Sequence, residues 1–116
     1  MDASVLNYTV NDNVGKFLKQ TQKLYINGEW VEAKSGKTFD VEDPATGKKI
    51  STCAAGGEED INLAVSAARK CFDSGKWHSV PPNEKGKMIW KIAELIDEHT
   101  EELAQLESLD NGKPVA

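Results

Sequence analysis

Residues Thr100 to Pro114 read T-E-E-L-A-Q-L-E-S-L-D-N-G-K-P, and this stretch has a helix's beginning, face and end written into it. Thr100 suits an N-cap, where a hydroxyl accepts an orphan backbone N–H. Glu101 and Glu102 follow in the first turn, where the helix dipole favours negative charge. Leu103, Leu106 and Leu109 recur at near-helical spacing and point to a core. Gly112 can turn left-handed and close the helix, and Pro114 forbids its continuation.

Working outward, the preceding residues repeat the pattern. Met88, Ile89, Ile92, Ala93, Leu95 and Ile96 give a broad apolar face, so a helix is predicted from Pro82, a residue suited to a first helical turn, to about Glu98. Earlier still, Gly56-Gly57 breaks the chain and Glu58, Glu59 and Asp60 load a first turn with negative charge. Ile61, Val65, Ala68 and Phe72 then fall on one apolar stripe, and Gly75 follows the end. Between the last two helices' predecessors, residues 76–81 read as a loop carrying Trp77 and His78.

The first half has a strand period. Asn27-Gly28 between Tyr25-Ile26 and Trp30-Val31 predicts a tight hairpin, because a type I′ turn needs positive φ at both central residues. Ser35-Gly36-Lys37 is a second turn, followed by a strand with Phe39 and Val41 on one face. Asp43-Pro44-Ala45-Thr46-Gly47 is a third: Asp43 can bond its own backbone and Pro44 presets φ. A further short strand covers Ile50 to Ala55. Before these, Val14, Phe17 and Leu18 predict a short helix capped by Asn11 or Asp12, weakened by Gly15 by about 1 kcal/mol relative to alanine. Met1 to Thr9 has no period and reads as a leader.

The chain has 116 residues, a net charge of −5, a pI near 5.0, 39% hydrophobic residues and a mean hydropathy of −0.52. That acidity argues against nucleic acid or an anionic membrane as partner, since both need a basic face. No apolar run approaches the ~20 residues of a membrane span. Residues Met1-Asp2-Ala3-Ser4 lack the features of a signal or transit peptide, so a cytosolic location is expected. Cys53 and Cys71 are the two cysteines, with no CxxC, and are expected to be buried reduced thiols.

Chemistry is mostly missing. No glycine-rich phosphate loop follows a strand, and no HExxH or Cys/His cluster has metal spacing. Neither cysteine has a base arranged beside it, and a thiol needs one, or a strong positive field, to act as a nucleophile. His78 and His99 read as surface or satisfied residues. Glu101, Glu102, Glu107 and Asp110 form a carboxylate group that a solvated helix face explains. Lys113 could bind an anion or simply help an exposed helix end.

Set in order, five stretches resemble the amino-terminal region of the NAD(P)-dependent aldehyde dehydrogenase superfamily. Leu24 to Trp30 is similar to its F-I-N-G-x-W hairpin. Asp43 to Gly47 resembles the N-P-A-T-G turn, with Asp43 where Asn is usual. Glu59 to Phe72 resembles D-V-x-x-A-V-x-A-A-R-x-A-F, and Lys85-Gly86 to Ile96 resembles R-G-x-L-L-x-x-L-A-x-L-I, with Lys85 for Arg. Leu106 to Pro114 resembles L-E-T-L-D-N-G-K-P. The wording S-G-K-T-F-D-V-E-D-P-A-T-G leans toward phenylacetaldehyde dehydrogenase-like members.

That resemblance implies an α/β family fold, of which this segment is the α+β beginning: a short antiparallel β-meander followed by three amphipathic helices. Residues 1–23 would be a leader with a short helix, and residues 24–116 the amino-terminal part of the NAD-binding domain. The family oxidises aldehydes to acids with NAD or NADP through a cysteine thioester, and its members are homo-oligomers. Its nucleophile, general base, oxyanion asparagine and cofactor glycines all lie downstream, so no catalytic or cofactor-binding residue is assigned here. One family site reaches this segment: a structural monovalent cation, whose ligands map onto the Asp110 carboxylate and the carbonyls of Val41 and Glu42. The metal-free alternative has Asp110 bonding the strand backbone. By itself the segment would expose apolar faces, which leaves open a second role as a non-catalytic module docking on full-length subunits.

Overall fold

The computed structural model describes residues 9–115, which divide into two compact units. The first contains residues up to Gln22, Thr38–Ala54 and His99 onward; the second contains Lys23–Lys37 and Ala55–Glu98. No helix among the described residues is long and apolar enough to cross a membrane.

In the first unit, helix α1 (Asp12–Leu18) starts at Asn11, whose side chain accepts the Asn13 N–H at 2.8 Å. Of the two caps the sequence allows, Asn11 takes the role. Strand β1 (Thr21–Gln22) runs parallel to β5 (Lys48–Ala54), which pairs antiparallel with β4 (Thr38–Asp43) in the order β1-β5-β4. Helix α4 (Thr100–Asn111) packs on α1 and β4. Val14, Leu18, Ile50 and Leu109 form the core, with Val10, Val41 and Leu106 packed against it. Leu109 and Val14, each 1% exposed, are the most deeply buried of these.

A register shift between Val41 and Glu42 skips Ile50: Val41 opposes Ser51, and Glu42 opposes Lys49. This β-bulge adds a residue to β5. It explains why two neighbours, Ile50 and Ser51, are both buried where a regular strand alternates. Ser51 Oγ is satisfied by donating to the Leu18 carbonyl at 3.0 Å. The short helix expected within residues 1–23 is present and buries Val14 and Leu18; the leader expected before it, but for Thr9, lies outside the described residues.

In the second unit, β2 (Leu24–Ile26) and β3 (Glu29–Val31) form a separate two-stranded hairpin. Asn27 and Gly28 have φ of 54° and 84°, as a type I′ turn requires. Tyr25 and Trp30 are directly opposite, with ring centroids 4.9 Å apart. Helix α2 (Glu58–Asp73) packs on β2, and α3 (Pro82–Glu98) follows.

The α+β class is observed, but not a single meander. The strands form two sheets, and one pairing is parallel. The sequence shows hairpins through their turns; it shows nothing of β1, whose two residues are too few to display a period. The exposure of apolar faces expected for this segment by itself is seen on α2 and α3. The α2 stripe of Ile61, Val65 and Phe72 is exposed, Phe72 to 73%, and α3 has no buried residue at all. The periodicity finds the apolar face correctly, but no part of the described chain covers it.

Candidate functional site

The first unit brings the candidate cation residues together only in part. The Asp43–Gly47 turn is built on Asp43, which is 1% exposed. Its carboxylate accepts the Ala45 N–H at 2.8 Å and the Thr46 hydroxyl at 2.9 Å, and its carbonyl accepts the Gly47 N–H at 2.7 Å. A buried carboxylate needs such donors to offset its lost hydration, and Asp gives the turn more acceptor capacity than the Asn usual at this position.

The end of α4 sits on this turn. Gly112 has φ 81° and its N–H donates to the Ser108 carbonyl at 3.0 Å, closing the helix in the left-handed conformation. A Cβ placed on Gly112 would lie 3.2 Å from Pro44 Cγ. The two motifs that the sequence reading singles out separately are therefore in contact. At the other end of α4 the structure corrects the cap: His99 occupies the cap position without a side-chain cap bond, and Thr100 is the first helical residue.

Asp110 and Val41 line one cavity of about 300 Å³, together with Leu18, Ile50, Leu106 and Glu107. Glu42 is not among its lining residues; it opposes Lys49 across the sheet. Asp110 itself is exposed, and its carboxylate has no hydrogen-bond or ion-pair partner among the described residues. The metal-free alternative, a bond from Asp110 to the strand backbone, is thus not seen. Among the described residues no group of three His, Cys, Asp or Glu side chains is gathered for a metal; a site built partly of carbonyls would not need one.

The other α4 acids have partners. Glu102 accepts from Asn13 Nδ2 at 2.9 Å and lies 3.5 Å from His99 Nδ1. The Asn13 hydrogen bond, then that of His99, holds its carboxyl below the usual range. Glu107 is likewise lowered, first by Lys113, 3.2 Å away, then by Asn111. Gln105 Oε1 accepts the Asn11 N–H at 2.7 Å, so α4 holds the start of α1 as well as facing water.

In the second unit, the sequence reading missed Asp60. It appears there as one of three acids complementing a helix dipole, yet it is 4% exposed. Its carboxylate accepts the Gly57 N–H at 2.9 Å and the Lys34 N–H at 3.0 Å. Those two backbone bonds, Gly57 first, hold its carboxyl below the ordinary range. The signal was available: Asp60 is the third residue of α2, from which an acid reaches back to the cap N–H. The start of α2 follows two glycines, as a phosphate cradle would, but Glu58, Glu59 and Asp60 put three negative charges there. A dinucleotide pyrophosphate does not fit this end, and no residue of this chain is assigned to NAD.

Neither cysteine is buried. Cys53 is half-buried, and Cys71 is exposed because its side of α2 lines an open groove with Leu63, Ala67 and Lys70. His78 and His99 are both exposed.

Comparison with known proteins adds the following. The aldehyde dehydrogenase family profile matches residues 30–116. Benzaldehyde dehydrogenase, mitochondrial, of Antirrhinum majus is 50% identical over 95 residues, covering 82% of this chain and 18% of that protein. Betaine aldehyde dehydrogenase of Bacillus subtilis is 46% identical over 93 residues, covering 80% of this chain and 19% of its own. The NAD+ complex structure of aldehyde dehydrogenase from Bacillus cereus superposes with a TM-score of 0.89 at 47% identity, over 95% of this chain and 22% of that one. The chain thus spans about a fifth of the length of each of these proteins.

Proposed function

This chain belongs to the aldehyde dehydrogenase family, and we propose that it supplies the amino-terminal part of an NAD-dependent enzyme that oxidises aldehydes to carboxylic acids. The observation that carries this reading is the superposition on an NAD+-bound aldehyde dehydrogenase over 95% of the chain at 47% identity. Residues 24–116 are read as the start of the dinucleotide-binding domain. The chemistry is assigned to residues beyond this segment: a cysteine nucleophile, a general base and the cofactor loop. This segment's own part is structural. A cytosolic location and a homo-oligomer belong to the same proposal, as does the absence of nucleic-acid or membrane partners, which the net charge of −5 supports.

Asp110 and the carbonyls of Val41 and Glu42 are proposed to hold a monovalent cation. Oxygen donors suit a hard ion. Support comes from the shared cavity of Asp110 and Val41, the unpartnered Asp110 carboxylate and the bulge beside Glu42, where the ladder is interrupted. Bound there, the ion would tie α4 to β4.

The test is to express the reading frame that contains this segment through to its stop codon. Aldehyde-dependent NADH formation is then measured on aliphatic and aromatic aldehydes, phenylacetaldehyde among them. The expected result is NADH formation abolished by thiol alkylation. A frame without a downstream cysteine and glycine-rich loop, or a folded product that forms no NADH from any aldehyde, refutes the enzyme reading. A second reading, docking of this chain on full-length subunits, is favoured by the uncovered faces of α2 and α3. Failure to co-purify with a full-length relative would exclude it.

A further inference from the structure

The sequence holds two Asn-Gly pairs, Asn27-Gly28 and Asn111-Gly112, and the fold gives them opposite surroundings. Asn27 and Gly28 form the exposed tip of the β2–β3 hairpin. Among the described residues neither the Asn27 side chain nor the Gly28 amide has a hydrogen-bond partner. No atom outside the neighbouring residues comes within 4 Å of a Cβ built on Gly28, so the residue is uncrowded. The Asn111 amide is held at both ends: Nδ2 donates to Glu107 Oε1 at 3.3 Å, and Oδ1 accepts the Lys113 N–H at 2.9 Å. The Gly112 N–H is committed to the Ser108 carbonyl, and Pro44 crowds the residue.

We propose that Asn27 is a self-modification site, converting by intramolecular deamidation, and that Asn111 is protected from the same reaction by its contacts. In the first step the Gly28 backbone nitrogen gives its proton to water and attacks Asn27 Cγ. The N–Cγ bond forms, the Cγ–Nδ2 bond breaks, and ammonia leaves with a proton. Water then opens the cyclic imide. Cleavage of the N–Cγ bond gives aspartate; cleavage at the main-chain carbonyl gives an isoaspartyl linkage. No electrons change hands and water is the single co-reactant. Asparagine is among the residues prone to such slow covalent loss, and glycine after it removes the side chain that would hinder attack.

The product would matter locally. Asn27 lines the open groove between the hairpin and α2, of about 590 Å³, which also carries Lys34 and Lys70. Either product adds a carboxylate to this groove, which Glu32 and Asp60 also line. The isoaspartyl form also lengthens the backbone within a two-residue turn, which breaks the Ile26–Glu29 register.

The test compares the native chain with the chain in urea, both incubated at mildly alkaline pH. Products are located by peptide mapping and by methyl transfer from an isoaspartyl methyltransferase as probe. In the native chain, conversion at Asn27 is expected to exceed that at Asn111 by about tenfold, equivalent to about 1.4 kcal/mol of protection. In urea the two sites should converge, because their local sequences are alike. Asn27→Gly, which keeps the turn's positive φ, should cut methyl acceptance by the native chain to about a tenth, the share left to Asn111. Equal or greater conversion at Asn111 in the native chain overturns the proposal. So does an unmodified Asn27 in the native chain when the urea sample converts.

Discussion

Replacing Gly112 by alanine separates two physical effects that meet at the end of α4. Gly112 and Gly47 both have positive φ, 81° and 65°, and both belong to the first unit. A left-handed non-glycine residue costs roughly 1–2 kcal/mol. Restricting the unfolded chain returns about 0.4–1 kcal/mol, so Gly47→Ala should cost about 1 kcal/mol. Nothing lies within 4 Å of a Cβ at Gly47. At Gly112 the same Cβ meets Pro44 Cγ at 3.2 Å. Pro44 cannot yield cheaply, because the turn around it is fixed by the bonds to Asp43. Overpacking adds about 1 kcal/mol at the low end of its range, so Gly112→Ala should cost about 2 kcal/mol in all. Urea unfolding followed by far-ultraviolet circular dichroism reads the difference. With a slope of about 2 kcal/mol per molar, the Gly112→Ala midpoint should fall about 0.5 M below that of Gly47→Ala. Equal midpoints would refute the argument that α4 is seated on the Asp43–Gly47 turn by close contact at Pro44.

The other predictions use the same unfolding assay unless stated. Leu109→Ala should cost about 2–5 kcal/mol as a buried leucine truncation, whereas Leu103→Ala, at a position 44% exposed, should cost well under half of that. Gly15→Ala should stabilise by about 0.4–1 kcal/mol, since Gly15 is helical and the nearest atom to its Cβ is Val10 Cγ2 at an ordinary 3.9 Å; a loss would refute this. Asp60 is held below the ordinary carboxylate range, so its contribution is present above the unfolded pKa and lost as pH falls through the folded one. Stability of the second unit should therefore drop in acid below that range, and Asp60→Asn should flatten the dependence; parallel pH profiles would contradict it. Finally, if Asp110 helps hold a cation, added potassium or sodium should raise the midpoint of the protein and leave that of Asp110→Asn unmoved.

What the sequence made legible was whatever is encoded within a few residues. The Asn27-Gly28 hairpin, the Asp43–Gly47 turn, the Asn11 cap and the Gly112 stop each depend on local backbone chemistry, and each is observed. The parallel pairing of β1 with β5 depends on Thr21 meeting Thr52, a partner thirty-one positions away that no local pattern names. The bulge at Ile50 hides for a related reason. A period of two cannot show an extra residue until its partner strand is known. Asp60 was misread because a first-turn acid has two roles, dipole complement or backbone clamp, and the Lys34 N–H decides between them. Of the cation residues, spacing alone placed none; the resemblance named them, and the fold brought Val41 and Asp110 to one cavity.

The exposed stripe on α2 is the strongest physical argument that this segment works as part of a larger surface. Ile61, Val65 and Phe72 lie one above another, and on α3 Ile89, Ile92 and Ile96 do the same. Burying a single such side chain is worth about 1.5–3 kcal/mol, so leaving both stripes in water forgoes a sum comparable to a whole domain's net stability of about 5–15 kcal/mol. A solvent-facing helix gains nothing from that spacing, and contiguous apolar patches on a protein surface mark sites of contact. The proposal of a dinucleotide-binding domain accounts for the stripes, because helices flanking a sheet need an apolar face towards it. It also predicts an order of effects. Charging the α2 stripe with Val65→Glu should leave the fold of this chain nearly intact, since Val65 is 61% exposed here. In the proposed full-length protein the same change should cost several kcal/mol, as an unpaired charge in a core does. Equal tolerance in both settings, read by thermal unfolding, would mean the stripe is never covered.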